Sequence, residues 1–230
     1  MTRKPQVTGW RQHFFYRKEC LRTTWKLRVG VLLSAILVVP ITRGFWEPGM
    51  AHSLTCEEQV VPSGAILIEN FDTDFALFEQ ARTLQRAGIA SRIFVNVPGT
   101  GDPLHLNEIF KGSAEVMARF ADISIEVIPI REVEPISLNS ARQIRDFLVK
   151  ERVSSIAIVT PGFRSRRSIN IYNAILLPAG ITPHCIPVFG AVTPQNWTRT
   201  WHGIQDVVLQ FLKLQYYRFY VMRALAENSM

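Results

Sequence analysis

Three arginines, Arg164, Arg166 and Arg167, stand just after a stretch with the pattern of a buried strand. The stretch is the unbroken apolar run at 156–159, and a Thr-Pro-Gly turn that begins at Thr160 ends it. From Arg164 onward the sequence favours a helix. The first turn of a helix offers free backbone N–H groups, and guanidinium groups form paired hydrogen bonds with phosphate or carboxylate oxygens. We therefore predict an anion site here, with Arg164 and Arg167 as a clamp and Thr160 orienting the ligand.

Arginines in a first helical turn also have a second interpretation. Their positive charge opposes the helix dipole, so a compensating anion is expected nearby. That anion is either a bound ligand or a carboxylate of the chain itself, such as Glu132 or Glu134. Arginines that simply meet solvent are a further alternative. The sequence alone leaves these alternatives open.

Three carboxylates, those of Glu69, Asp72 and Asp74, follow the first predicted strand within six residues. Carboxylates this close can hold a divalent cation or share acid–base work. They can equally cap the helix that follows, with Asp72 or Asp74 as the N-cap. For the acid–base role we single out Asp72 and Glu134.

Asn139 lies in the loop region before a predicted helix at 140–151 and is well placed as its N-cap. In the binding hypothesis it orients the anion together with Thr160. The sequence has no G-x-x-x-x-G-K-[ST], G-x-S-x-G, H-E-x-x-H or paired C-x-x-C motif, and its five histidines are dispersed. These features argue against the standard P-loop, hydrolase, zinc-protease and redox classes. No metal site is predicted, and the sequence does not identify a cofactor.

The elements that must position these residues alternate along the chain. Strands are predicted at 65–68, 92–97, 123–128, 156–159 and 183–188, and helices at 75–87, 107–121, 140–151, 164–177 and 203–225. Such alternation is typical of a parallel sheet with helices on both faces, so we predict an α/β protein with a Rossmann-like three-layer fold and a mostly parallel sheet. Ligands in such folds bind beyond the carboxyl ends of the strands, where the polar residues above fall. The closing helix is apolar almost all round, which fits core packing or contact with a bilayer or partner.

Positive charge is concentrated at the N-terminus. Residues 1–28 carry eight basic residues and one acidic residue, and the remaining residues carry 18 of each kind. The basic pI therefore belongs to a short arm, which gives no support for a nucleic-acid-binding domain.

A membrane anchor is predicted at 29–46, directly after the basic arm. Residues 29–42 contain no charge, and the positive-inside rule would keep 1–28 in the cytoplasm and place the rest outside. A cleaved signal peptide and a soluble core helix are the alternatives. Residues 47–63 are predicted to be a linker and 64–230 the α/β domain. In an oxidising compartment Cys56 and Cys185 would form a disulfide, although two free thiols fit the sequence as well.

Two segments of the predicted domain resemble the SanA/ElyC/YdcF-like family. The segment 158–168 is similar to the family pattern V-T-S-x-aromatic-H-x-x-R-S/A at Thr160, Phe163 and Arg167, with Arg164 at the histidine position. The segment 134–143 is similar to E-x-x-S-x-N-T-x-E-N at Glu134, Ser137 and Asn139. Ala81, Leu84 and Gly88 match the helix that follows the family's first strand, although Glu69-Asn70 stands where the family commonly has two glycines.

The resemblance implies an anchored α/β domain associated with envelope integrity and with peptidoglycan or surface-polysaccharide metabolism. It adds Ser137 to the ligand-binding candidates. The leading hypothesis is an inner-membrane protein, N-terminus in, whose exported domain binds a phosphate-bearing or other anionic ligand such as a lipid-linked glycan. The alternatives are a non-enzymatic assembly factor with a decayed site and a cytoplasmic nucleotide or S-adenosylmethionine binder, since a cytoplasmic family member is reported to bind that cofactor.

Overall fold

The computed structural model describes residues 15–17, 21–71, 74–99 and 107–227, in two compact units, Met1–Glu47 and Pro48–Met230. In the first unit, strands β1 (Phe15–Arg17) and β2 (Leu21–Thr23) pair antiparallel. Helix α1 (Trp25–Ile41) follows. Its sequence has no polar face, and several of its apolar side chains, including those of Leu33 and Leu37, are exposed.

Helix α2 (Arg43–Leu54) begins after a one-residue break at Thr42. The region predicted as an anchor at 29–46 is thus divided between two helices. In the part of the chain that the structure describes, no helix combines the length and hydropathy that crossing a membrane requires.

The predicted linker at 47–63 is helical in its first half. Helix α2 continues to Leu54, because Ala51 and Leu54 are fully buried and pack into an apolar cluster with Phe163 and Trp197. Only residues 55–63 have no regular secondary structure. The α/β unit therefore starts before Gly64, and its first helix contributes to the core.

The second unit contains a five-stranded parallel sheet. Its strands are β3 (Ala65–Ile68), β4 (Ile93–Gly99), β5 (Glu126–Arg131), β6 (Ser155–Pro161) and β7 (Thr182–Val188). Their order is β5-β4-β3-β6-β7, and every neighbouring pair is parallel. The predicted α/β class and parallel sheet are confirmed. The chain moves from β3 to one edge of the sheet and then returns to β3's other side, so the order of strands switches between β3 and β6.

Helices cover both faces of this sheet because its central strands are apolar on both sides. Residues Ala65 and Leu67 of β3 face a cluster with α5 (Ile136–Lys150) and α6 (Ser165–Leu176). Residues Ile66 and Ile68 face the opposite cluster with α3 (Phe75–Arg86) and α4 (Glu108–Phe120). Within the described residues this gives three layers: helices, sheet and helices.

The closing segment is divided into three parts. Helix α7 (Trp201–Tyr216) is followed by a π-helical turn (Tyr217–Val221) and a short helix α8 (Met222–Glu227). Tyr217 and Val221 pack in the cluster with α5 and α6. The predicted single helix at 203–225 is therefore correct in position, but it contains a wide turn where Tyr217 enters the core.

Two capping predictions have different outcomes. Asp74 caps α3, since its carboxylate accepts a hydrogen bond from the Ala76 N–H at 3.0 Å. The prediction that Asn139 caps the third helix is wrong, because α5 begins at Ile136 and Asn139 lies in its first turns. The Glu134 carboxylate accepts from the Ile136 N–H at 3.3 Å instead. A polar residue just inside a helix and one at its cap look alike in sequence.

Candidate functional site: the arginine groove and the switch point

Glu69 is the centre of a buried polar cluster at the carboxyl end of β3. Its side chain is almost inaccessible, and one carboxylate oxygen, Oε2, accepts hydrogen bonds from the Thr160 hydroxyl at 2.5 Å and the Ser168 hydroxyl at 2.7 Å. Thr160 lies on β6, so Glu69 joins the two strands between which the strand order switches. Thr160, which was predicted to orient a ligand, donates a hydrogen bond from its hydroxyl to this carboxylate.

Arg164 is held in the same cluster. Its Nε lies 3.6 Å from Glu69 Oε2, and its guanidinium group stacks over the Phe71 ring at 4.2 Å. Glu69 is therefore a carboxylate of the chain itself that compensates the first turn of the helix. Burial, and then the negative charge of Glu69, raises the pKa of the Tyr172 phenol well above its ordinary value. Tyr172 stays protonated, as a donor to a buried carboxylate must.

A cavity of about 370 Å³ opens beside Arg164. Asp74 and Asp206 line it together with the turn at Gly162 and Phe163, so its lining carries one guanidinium and two carboxylates. With Arg164 already next to Glu69, this cavity has no excess positive charge. Its electrostatics do not favour an anion.

Arg167 faces a different cavity, although it is only three residues from Arg164. This cavity of about 800 Å³ lies between α6 and the closing helix, and we call it the arginine groove. Three guanidinium groups line it, those of Arg166, Arg167 and Arg218, with Asn170, Asn173 and Gln215 as further polar groups. No carboxylate occurs among its described lining residues. Of the two arginines predicted to act as one clamp, Arg164 thus lines the smaller of these two cavities and Arg167 the larger.

The position of Arg167 in the groove is fixed by packing. Only 5% of its surface is exposed, and its guanidinium carbon lies 5.5 Å from the centre of the Tyr217 ring. The hydroxyl of the same tyrosine accepts a hydrogen bond from the Ser137 backbone N–H at 3.1 Å. Tyr217 therefore brings Ser137, a second predicted ligand-binding residue, to the side of Arg167. A guanidinium that is both buried and stacked is preorganised, which lowers the entropy lost when it binds an anion.

The remaining predicted site residues lie elsewhere. Glu134 is exposed and caps α5 as described above. The Asn139 side-chain amide donates to the carbonyls of Val133 and Glu134, at 3.1 and 3.0 Å, and its oxygen accepts from Arg142. Both residues thus hold the loop before α5. Asp72 lies outside the described residues.

Two buried asparagines lie near Glu69 at this edge of the sheet, Asn70 directly after β3 and Asn96 in β4. The Asn70 backbone N–H donates to the Asn96 side-chain oxygen at 2.8 Å, and both side chains are fully buried. Within the described ranges, the polar atoms of the Asn70 side chain have no hydrogen-bond partner. Nor do those ranges contain a group of three or more His, Cys, Asp or Glu side chains that could hold a metal ion.

A disulfide fastens the start of α6. Cys56 and Cys185 are bonded, so of the two alternatives left by the sequence the structure has the disulfide. The Cys56 backbone N–H donates to the Ser165 hydroxyl at 2.9 Å, and this hydroxyl donates to the Gly162 carbonyl at 2.6 Å. The bridge thereby connects the segment after α2 to β7 and to the turn from which the arginines extend.

Sequence reasoning missed Arg218 and Tyr217. Both belong to the closing segment, 50 or more residues after the arginine cluster, and only the packing of the π-helical turn against α6 brings them there. The only local sequence signal for these two residues was that Arg218 stands between aromatic residues. Neither the family models nor the curated proteins with which the sequence was compared match it.

Proposed function

We propose that the α/β unit binds a phosphate-bearing or other anionic ligand in the arginine groove. The observation that carries the proposal is the convergence of three guanidinium groups on one cavity, that of Arg167 being buried and stacked on the Tyr217 ring. Charge-assisted hydrogen bonds from guanidinium to phosphate are among the strongest that proteins make. The described lining residues include no histidine or cysteine, and what they offer is groups for binding an anion.

We further propose that this unit lies outside the cytoplasm and is attached to a membrane through the N-terminal segment. Disulfides persist mainly in oxidising compartments, which supports export. The basic arm at 1–28 favours a cytoplasmic N-terminus, and the exposed apolar side chains of α1 support attachment. The resemblance to the SanA/ElyC/YdcF-like family favours sugar phosphates or lipid-linked glycans as ligands. A reporter fused after Met230 tests the topology, and activity only in the cytoplasm would contradict it.

A non-enzymatic interaction factor is the second candidate. The observation that favours it is the exposed apolar face of the closing helix, which includes Leu212 and Phe219. Crosslinking of this face to another protein, with no effect of neutralising Arg167 or Arg218, would support it over the binding proposal. The third alternative, a cytoplasmic nucleotide or S-adenosylmethionine binder, is less compatible with the disulfide.

The proposal is tested by titrating the detergent-solubilised full chain with pyrophosphate at low ionic strength, using calorimetry. Loss of one charge-assisted hydrogen bond lowers affinity by about tenfold or more. We expect this loss in Arg218→Gln, whose exposed position leaves folding intact, and in Arg167→Gln. Arg86→Gln is the matched control, because Arg86 lies on α3 at the opposite face of the sheet. If Arg218→Gln and Arg167→Gln bind pyrophosphate as tightly as the parent, or if Arg86→Gln weakens binding equally, the groove is not the site.

A further inference from the structure

The closing helix has one apolar face that the second unit does not cover. Val207, Leu214, Tyr217 and Val221 are buried against the domain. On the other side Leu212, Phe219 and Tyr220 are each at least 60% exposed, and Leu209 and Tyr216 are also exposed. Their spacing of three, four and seven residues puts them along one side of the helix. We call this set, Leu209, Leu212, Tyr216, Phe219 and Tyr220, the aromatic face.

The charges along the middle of the closing segment are positive. Lys213, Arg218 and Arg223 lie between the two acidic residues of the segment, Asp206 near its start and Glu227 at its end. A second copy of the same helix would bring cations against cations, which disfavours self-association through this face. A negatively charged surface has the complementary charge.

The side-chain types on this face suit the boundary between lipid and water. Tyr216 and Tyr220 stack with ring centres 5.9 Å apart, so two phenol rings form one amphipathic pair. Tyrosine places an apolar ring towards acyl chains and a hydroxyl towards headgroups, and interfacial helices combine such residues with lysine and arginine.

We propose that the aromatic face of the second unit docks on an anionic lipid surface. The apolar side chains enter the boundary between headgroups and acyl chains, and Lys213 and Arg223 lie against lipid phosphates. This contact belongs to the second unit itself, so it does not require the N-terminal segment to span the membrane. It is also separate from ligand binding in the arginine groove.

The test uses the full chain in vesicles of equal parts phosphatidylglycerol and phosphatidylcholine. In a Cys20→Ser background, an environment-sensitive fluorophore is attached to Leu212→Cys, or to Ile109→Cys as control. Ile109 is an even more exposed apolar residue, on α4. We expect nitroxide-labelled lipid to quench the probe at 212 at least about twofold more than the probe at 109, because interfacial side chains lie 5–10 Å deep. Iodide in the aqueous phase should give the opposite order.

Charge neutralisation adds a second readout. Each cation near the surface contributes about a fivefold change in the docking equilibrium, so Lys213→Gln combined with Arg223→Gln should reduce lipid quenching at 212 in anionic vesicles. The same pair should have no effect in phosphatidylcholine alone. Equal quenching of the probes at 212 and 109 by nitroxide-labelled lipid overturns the proposal. Protection of the probe at 212 from both the labelled lipid and iodide, together with crosslinks between chains, also overturns it, because the face would then be covered by a second copy. Neither result affects the pyrophosphate titration, so this inference and the proposed function fail independently.

Discussion

Removing the Cys56–Cys185 disulfide should destabilise the second unit strongly. The bonded cysteines are 129 residues apart in sequence. Closing a loop of that length removes conformational entropy from the unfolded chain worth about 5 kcal/mol at 25 °C. The native geometry at the bridge depends little on the sulfur atoms, since the Cys56 contact to Ser165 uses a backbone N–H that alanine retains. Most of the effect of Cys56→Ala with Cys185→Ala should therefore arise in the unfolded state.

The assay is urea unfolding followed by tryptophan fluorescence, for which Trp197 is a suitable reporter because it is buried in the cluster with Leu54 and Phe163. With a denaturant slope of about 3 kcal/mol/M, the double variant should unfold roughly 1.5 M lower in urea than the parent. Added reductant should lower the midpoint of the parent by a similar amount and leave that of the double variant unchanged. Cys20→Ala is the matched control and should behave as the parent.

Counting thiols gives a second, independent check. The chain has three cysteines, so denatured, unreduced protein should show one reactive thiol per chain, and reduced protein three. Three thiols before reduction would refute the assignment of the bridge. A parent midpoint that reductant does not change would refute the loop-entropy reasoning even if the bridge is present.

Two further predictions concern local structure. Gly203→Ala should lower the urea midpoint even though alanine favours a helix by up to ~1 kcal/mol, because the new Cβ would lie 2.3 Å from the Trp197 carbonyl oxygen. Gly112→Ala in α4 should raise the free energy of unfolding by about 0.5–1 kcal/mol, and with it the urea midpoint, since apart from the adjacent backbone of its own helix no atom lies within 4 Å of the new Cβ. Equal effects of both changes would contradict the contact argument. The paired hydrogen bonds from Arg92, at 2.9 and 2.8 Å, lower the pKa of the Glu126 carboxyl. This stabilisation is present above the unfolded pKa of about 4.3 and is lost as pH falls through the lower folded pKa. Glu126→Gln should therefore lower Tm at pH 7, and the difference in Tm, followed by circular dichroism, should shrink as the pH is lowered through that folded pKa. A difference that does not shrink on acidification would exclude the ion pair as its cause.

The fold could be predicted from the sequence because the hydrophobic pattern that indicates each strand or helix is local. The central strands of the sheet contain apolar runs, and β3 was predicted with the bounds it has, 65–68. The third predicted strand was displaced: expected at 123–128, it lies at Glu126–Arg131. This edge strand alternates buried and exposed residues and includes Pro129, so its apolar pattern extends ambiguously into the preceding turn.

Only part of the candidate site could be predicted from the sequence, because the partners of its arginines are distant in the chain. Local pattern placed Arg164 and Arg167 correctly at the junction after β6, but it could not show which side chains they contact. Two of these contacts are long-range, Glu69 with Arg164 and Tyr217 with Arg167. The first partner comes 95 residues before its arginine and the second 50 residues after. Periodicity within a single element carries no information about such pairs.

The distribution of charge explains why the groove, and not the switch point, is the stronger candidate for anions. The switch point is where α/β folds usually bind ligands, but here a buried carboxylate, Glu69, occupies it and accepts from two hydroxyls while lying beside Arg164. The positive charge at this position is therefore already compensated. Arg167, three residues further along the chain, lines the arginine groove together with Arg166 and Arg218, and no described lining residue of that groove is acidic. The groove thus gathers three guanidinium groups, whereas at the switch point Arg164 lies beside a buried carboxylate, and an anion that enters this fold should be found in the groove.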